Sequence, residues 1–136
     1  MSLMDWSPAL DVGVSEMNDE HKHILDAMNK LYAAHEAGVT GAEINRLVAQ
    51  LGKVATEHFA HEEAFMASIN FPQLATHKGV HTRLLETYAK HAGDIEAAGG
   101  QVGKDFFDFL KYWLTAHIKG IDVKYGQHAG AMKKAG

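Results

Sequence analysis

The feature that most constrains the fold is a helical spacing of apolar residues that recurs in four successive segments of the chain. In each segment the apolar side chains fall at steps of three and four residues, as on one face of an amphipathic helix. The predicted segments run from Asn18 to about Gly38, from Thr40 to about Ile69, from about Gln73 to about Gly93, and from about Gln101 to Tyr125. The connections are short, and no alternating β-strand pattern intervenes. The sequence therefore predicts an all-α fold, an up-down-up-down antiparallel four-helix bundle.

Local signals predict where these helices begin and end. Thr40 and Glu43 have the spacing of a capping box, which predicts the start of the second helix. Pro72 predicts the break before the third helix, because the residue before a proline is pushed out of helical geometry. Residues 1–17 lack the helical spacing and are predicted to form an extended N-terminal arm, with Trp6 over one end of the core. The predicted organisation is a single domain, 1–136, with the bundle at 18–125 and a frayed tail at 126–136.

Composition narrows the classes of partner. The chain has 13 basic and 17 acidic residues and a formal net charge of -4, so we expect neither nucleic acid nor an anionic membrane as a partner. It has no cysteine, which excludes disulfides, thiolate ligands and iron-sulfur clusters. The N-terminus lacks a basic region followed by an apolar run, and no stretch reaches the roughly 18 apolar residues of a membrane span. A cytoplasmic, soluble protein is the expectation.

Histidine is unusually frequent in this chain, with 10 among 136 residues. Ligand-type side chains stand on the apolar face of every predicted helix: His21 on the first, His58 and Glu62 on the second, His77 and His81 on the third, and His117 on the fourth. The two pairs are each four residues apart, so each pair projects from one helix face about one turn apart. A single buried histidine is usually satisfied by a carbonyl group. Here ligand-type side chains occur on all four apolar faces, and one of them is a carboxylate whose burial costs free energy unless it is paired. Together they indicate a metal site.

The number of ligand-type residues implies two metal ions, because one ion cannot use so many positions. Imidazoles with few carboxylates suit a borderline transition metal. Glu62 and Asp122 are the candidate bridging carboxylates. Asp122 follows His117 by five residues, which is about 140° around a regular helix, so the two can share a site only if the helix is tightened, widened or irregular there. Gly120, which lies between them, favours such an irregularity.

Motifs in order along the chain carry a family resemblance. They are Asp11-Val12-Gly13-Val14 leading to Asp19-Glu20-His21, then His58-Phe59-x-x-Glu62-Glu63, then His77-x-x-x-His81, then Trp113-Leu114-x-x-His117-Ile118-x-x-x-Asp122-x-x-Tyr125. With these motifs the chain resembles hemerythrin, and within that family the single-domain bacteriohemerythrins. The resemblance covers residues 6–125 and implies the same bundle. One departure is Asn18, where the family usually has an aspartate three residues before the first histidine ligand.

The resemblance implies a cofactor of two iron ions, Fe2+ or Fe3+, joined by an oxo or hydroxo bridge. The implied ligands of one iron are His77, His81 and His117, those of the other are His21 and His58, and Glu62 and Asp122 bridge the two. The second iron would keep one open position, where the family binds dioxygen. Phe59, Trp113 and Leu114 would form an apolar oxygen pocket that excludes water and protons. The expected function is reversible dioxygen binding for storage, delivery or scavenging, without enzymatic turnover.

Two other functions stay open at this point. The same centre could serve an enzyme that reduces peroxide or nitric oxide or oxidises ferrous iron, or a sensor of oxygen or redox state that acts through a separate protein partner. The apolar character of the predicted pocket favours the carrier.

Three further groups near the predicted ligands have no assigned role. His61 is expected to be exposed or in contact with a ligand rather than a ligand itself, and Glu63 to be solvated. Glu20-x-x-His23 resembles half of a ferritin-like di-iron motif, which as a single copy is interpreted as chance.

Overall fold

A computed structural model describes residues 2–135, with side chains described as far as Met132. Met1 and Gly136, the outer ends of the predicted arm and tail, lie outside the described residues. The helices are α1 (Ser15–Glu36), α2 (Ala42–Ser68), α3 (Leu74–Ala97), α4 (Lys104–His117) and α5 (Val123–Ala135), with a short 3-10 turn at Pro8–Leu10 and a π-helical segment at Ile118–Asp122 between α4 and α5. No strand occurs among the described residues.

The four long helical segments pack as a bundle around one apolar core. α1 packs against α2, and α2 against α3. α4 closes the bundle through aromatic contacts: the Phe107 ring meets Tyr32 of α1 edge-on at 5.0 Å between centroids, and Trp113 meets Phe59 of α2 edge-on at 6.0 Å. The predicted all-α four-helix bundle is confirmed.

The first helix begins three residues earlier than predicted, at Ser15 rather than Asn18. Asn18 does not cap it. Its Oδ1 accepts a hydrogen bond from the Val12 backbone N–H at 3.0 Å, and its Nδ2 donates to Asp11 at 2.8 Å. The asparagine therefore fastens the arm to the first turn of α1.

The predicted capping box at the start of α2 is wrong. The residue that precedes the helix is Gly41, with φ 73, and no side chain caps the helix. Glu43 instead forms an ion pair with Arg46, one turn further on. The backbone N–H of Gly41 donates to the Gly99 carbonyl at 2.9 Å, so a tertiary contact holds this end of the helix.

The N-terminal arm lies along the bundle, as predicted. Leu10 and Val12 are buried in the core. Asn29 of α1 binds the arm further out: its Oδ1 accepts from the Leu3 and Met4 N–H groups, and its Nδ2 donates to the Met4 carbonyl. The arm is therefore fixed to α1 by side chains that meet its backbone.

The C-terminal segment corrects the predicted frayed tail. Residues 123–135 form α5, which continues α4 without a break in helical structure. Gly126 is buried against the arm, where a Cβ would collide with the backbone carbonyl of Val12. His128 donates to the carbonyl of Ile69 at 3.0 Å, which ties α5 to the end of α2. Helical structure persists here because these contacts cover the inner face of α5.

The helix between His117 and Asp122 is widened, one of the irregularities that the sequence predicts. Ile118–Asp122 is π-helical, with hydrogen bonds that span one residue more than in an α-helix. Five residues then make about one full turn, so both side chains point into the core.

Within the described residues, no helix is long and apolar enough to cross a membrane.

Candidate metal centre

All seven predicted ligands converge in the middle of the bundle. Each is at most 5% exposed: His21, His58, Glu62, His77, His81, His117 and Asp122. α1 supplies one, α2 and α3 two each, α4 one, and the π-helical segment one. The five imidazoles all turn Nε2 towards the carboxylate oxygens. The bundle thus brings together every side chain that the sequence predicted for a metal site.

The seven residues divide into two overlapping groups of ligand atoms. One group holds His77, His81 and His117, the other holds His21 and His58, and Glu62 and Asp122 belong to both. Within each group the ligand atoms lie within 4.8 Å of one another.

Each carboxylate turns one oxygen to each group. Glu62 Oε1 lies 3.1 Å from His81 Nε2, while its Oε2 lies 3.1 Å from His58 Nε2. Asp122 Oδ1 lies 2.9 Å from His117 Nε2, and its Oδ2 lies 3.1 Å from His21 Nε2. This is the arrangement of two neighbouring sites that share two carboxylates.

The positions of the donor atoms suit metal coordination better than hydrogen bonding among the side chains. His58 Nε2, His81 Nε2, Glu62 Oε1 and both oxygens of Asp122 are buried and lack a hydrogen bond of good geometry among the described residues, although they lie close together. Two imidazole nitrogens, His77 Nε2 and His117 Nε2, approach to 3.3 Å. Ligands held at about 2.1 Å from one ion at right angles lie about 3 Å apart, so these separations match shared coordination. A borderline transition metal suits this set of nitrogen and oxygen donors.

Without metal, protonated imidazoles balance the two buried carboxylates. Burial alone would raise the pKa of Glu62, but contacts with His21 and His58 hold that pKa well below its ordinary value. For Asp122, burial and the nearby Glu62 oppose ionisation, and the imidazoles of His117 and His21 close to its oxygens still lower the pKa to about 2. Both carboxylates therefore stay ionised at neutral pH, as metal ligation requires.

A second layer of carboxylates orients two of the imidazoles, and the sequence did not reveal it. His58 Nδ1 donates to Glu20 of α1 at 2.6 Å, and His81 Nδ1 donates to Glu63 of α2 at 2.9 Å. Such contacts fix the ring and the tautomer of a ligand histidine. Each acidic residue sits beside a ligand in the sequence but serves a ligand on a different helix. Glu63 was predicted to be solvated, but its carboxylate instead accepts this hydrogen bond from His81.

Tyr125 is a third residue whose role only the structure reveals. Its hydroxyl is fully buried and donates to Glu62 Oε2 at 2.6 Å. Burial and the charge of Glu62 raise the pKa of Tyr125, so the phenol keeps its proton. It therefore fixes the orientation of the carboxylate that the two groups share. Tyr125 belongs to the last sequence motif, and this position was the signal by which the sequence could have identified it as part of the site.

The three predicted pocket residues are buried in the core around the centre. Phe59 stacks on the imidazole of His81 at 3.9 Å between centroids, and its ring lies 5.9 Å from those of His58 and His117, so it meets both groups of ligands. Phe59 and Trp113 also line a small apolar cavity of about 10 Å³. Leu114, one turn before His117, is 2% exposed. Aromatic and aliphatic groups thus cover one side of the centre.

Comparison with known proteins agrees with this geometry. Residues 12–129 match the family model described as hemerythrin, the hemerythrin HHE cation binding domain. Similar proteins include a bacteriohemerythrin of Methylococcus capsulatus (strain Bath), 33% identical over 129 residues that cover 93% of this chain and 96% of the relative. A hemerythrin-like protein of Naegleria gruberi is 30% identical and covers 91% of this chain and 92% of its own length.

Solved structures show the same fold at comparable similarity. A crystal structure of wild-type hemerythrin is 32% identical, with a TM-score of 0.80, and covers 93% of this chain and 97% of that one. A hemerythrin crystal structure of an L114A mutant is 31% identical, with a TM-score of 0.82, and covers 94% and 98%. The fold, the cluster of histidines and carboxylates that could hold metal ions, and these similarities agree: the chain belongs to the hemerythrin family.

Proposed function

We propose that this protein binds dioxygen reversibly at two iron ions held by the seven converging side chains. In this proposal His77, His81 and His117 bind one iron and His21 and His58 bind the other, while Glu62 and Asp122 bridge them together with an oxo or hydroxo group. The observation that carries the proposal is the pair of ligand groups that share two carboxylates. The names of the relatives, bacteriohemerythrin and hemerythrin, support iron and dioxygen as the occupants.

The two groups differ in the number of protein ligands. One group has three imidazoles and the other has two, in addition to the shared carboxylates. Metal sites that react with small molecules keep a position free of protein ligands, so the smaller group is the proposed binding side for dioxygen. Two ferrous ions, one in each group, would supply the electrons that dioxygen accepts when it binds.

The surrounding side chains favour reversible binding over turnover. Trp113 and Leu114 are at most 5% exposed, and they keep water and protons from the core of the bundle. Tyr125 holds Glu62, and Glu20 holds His58, so the ligand set changes its geometry little during binding. The Tyr125 hydroxyl donates a hydrogen bond to Glu62 Oε2, and its raised pKa keeps the proton on the phenol.

The test is anaerobic loading of the metal-free protein with ferrous iron, followed by exposure to air. We expect two irons per chain and a visible absorption band that appears in air and disappears on removal of oxygen. His58→Gln and His117→Gln should each lower the bound iron towards one per chain. The matched control is His35→Gln, because His35 lies about 21 Å along α1 from His21.

Two results would contradict this function. Immediate irreversible oxidation with sustained consumption of peroxide or nitric oxide would favour a di-iron enzyme. Retention of fewer than two ferrous ions per chain after anaerobic loading would contradict a di-iron occupant; competition with zinc does not test this, since zinc generally binds such ligands more tightly than ferrous iron. Cytoplasmic localisation and any protein partner stay predictions.

A further inference from the structure

A second set of ligand-type side chains lies at the surface, on the outer side of His58. Glu20 and His23 are three residues apart on α1, and Glu57 and His61 are four residues apart on α2. All four line one cavity of about 220 Å³, together with His58 itself. Each helix thus offers a carboxylate and an imidazole to the same space, about one turn apart.

Glu20 connects this cavity to the buried centre. Its Oε1 accepts from His58 Nδ1 at 2.6 Å, and its Oε2 accepts from His61 Nδ1 at 2.8 Å. The side chain of His61 is 62% exposed, that of Glu20 26%, and that of His58 3%. Donor atoms therefore lead from solvent to His58 Nδ1, on the ring whose Nε2 faces the buried centre.

A buried metal centre needs such a route, because a divalent cation cannot cross an apolar core without replacement of its water ligands. The aromatic side of the centre, at Phe59 and Trp113, offers no charged group to a cation. Another cavity, of about 180 Å³, reaches His77, but Lys124 is among its lining residues and no carboxylate is. The cavity beside His58 has two carboxylates and no lysine or arginine among its lining residues.

We propose that Glu20, His23, Glu57 and His61 form an outer capture site for a divalent transition-metal ion, which passes from there to His58 as the buried centre is loaded. The inference rests on the proposed metal centre and adds the route by which it fills. Nitrogen and oxygen donors without sulfur suit borderline ions such as Fe2+, Co2+ and Zn2+.

The capture site is weaker than the buried one. Its ligand atoms do not converge as those of the seven buried residues do, and Glu20 is shared between two imidazoles. Exposed side chains must turn to bind an ion, which costs conformational entropy and permits rapid release. Transfer needs only an exchange of ligands, with no change in oxidation state.

The experiment measures the uptake of Co2+ by the full-length metal-free protein under anaerobic conditions. Uptake is followed by stopped-flow absorbance at limiting metal, and the final stoichiometry by metal analysis. The test variant is His23→Gln with Glu57→Gln and His61→Gln, in which Glu20 is kept because it orients His58. The control carries the same change in charge elsewhere: His35→Gln with Glu86→Gln and His91→Gln.

The test variant should still bind two Co2+ per chain, but at least tenfold more slowly than the wild type, since local charges that attract a cation raise association rates by about 10 to 1000-fold. The control should load at the wild-type rate. In the loaded wild type, further Co2+ should broaden the imidazole signals of His23 and His61 in the NMR spectrum.

Equal uptake rates for the test variant and the wild type would overturn the capture site while leaving the buried centre intact. Failure of the wild type to take up two ions would instead overturn the proposed metal centre, and with it the transfer step. If the triple variant does not give a helical circular dichroism spectrum, Glu57→Gln and His23→Gln alone provide the same comparison. Unchanged uptake in both would then refute the proposal.

Discussion

Raising the pH of the metal-free protein should weaken its fold, and His58 is the main cause. Burial disfavours the charged imidazole, but the hydrogen bond to Glu20 and the contact with Glu62 outweigh burial and raise the pKa of His58 from 6.5 to about 9. The folded protein therefore keeps a proton that the unfolded chain releases. A group with a raised folded pKa stabilises fully below the unfolded value and loses that contribution as the pH passes the folded value.

The size of the effect follows from the two pKa values. The difference between 6.5 and about 9 corresponds to about 3 kcal/mol of unfolding free energy. The side chain of His58 is 3% exposed, so solvent screens this interaction little. For a chain of 136 residues this amounts to a fall in Tm of about 10 °C. Burial also disfavours the charged imidazole of His21, but Asp122 and Glu62 raise its pKa. His21 therefore loses stabilising free energy as the pH rises, as His58 does.

The assay is thermal unfolding of chelator-treated protein, followed by circular dichroism between about pH 6.5 and about pH 9.5. The variant His58→Gln should lose most of the dependence. The iron-loaded protein should also show little of it, because coordination keeps the imidazole neutral across the range. A Tm of the metal-free wild type that stays constant or rises with pH would refute the reasoning, as would an equal fall in the variant.

Three further substitutions test other contacts. Tyr125→Phe removes a buried hydrogen bond to the ionised Glu62 and should lower the unfolding free energy by about 1.5–3 kcal/mol, measured by urea denaturation. An effect below about 0.5 kcal/mol would contradict that hydrogen bond. Gly126→Ala places a methyl group against the backbone carbonyl of the N-terminal arm and should cost about 1–3 kcal/mol, whereas Gly130→Ala on the same helix meets no atom and should be neutral or stabilising. Similar denaturation midpoints for the two would disprove this close approach. Leu114→Ala opens the apolar cover of the centre and should speed the oxidation of the oxygenated protein, followed by loss of its visible band. An unchanged decay would remove this residue from the proposed pocket.

Much of the candidate site could be predicted because the ligands obey helical spacing. His58 with Glu62, and His77 with His81, are each one turn apart on their own helix, so the pairs are visible without any tertiary contact. The requirement for a tightened, widened or irregular helix before Asp122 also followed from spacing, and the π-helical segment meets it by widening.

The residues that the sequence missed act across helices. Glu20 of α1 orients His58 of α2, and Glu63 of α2 orients His81 of α3. On its own helix each glutamate points away from the neighbouring ligand by about 100°, so Glu63 was predicted to be solvated and Glu20 was given no role. The partner of each glutamate depends on which helix packs beside it, and the residue spacing within one segment does not reveal that helix.

The sequence by itself determined the helical segments and six ligand-type side chains on their apolar faces, with Asp122 as a seventh candidate, since amphipathic spacing and the cost of burying unpaired polar groups act locally. Only the tertiary structure decided the second layer of carboxylates and the cavity beside His58, while the division of the ligands into two groups, which the family resemblance implied, is also seen in their positions. It also decided the ends of the bundle, where the capping pattern at Thr40 is unused and α5 replaces a frayed tail. Both depend on contacts between segments far apart in the chain, such as Gly41 with Gly99 and Gly126 with Val12, which override local preferences.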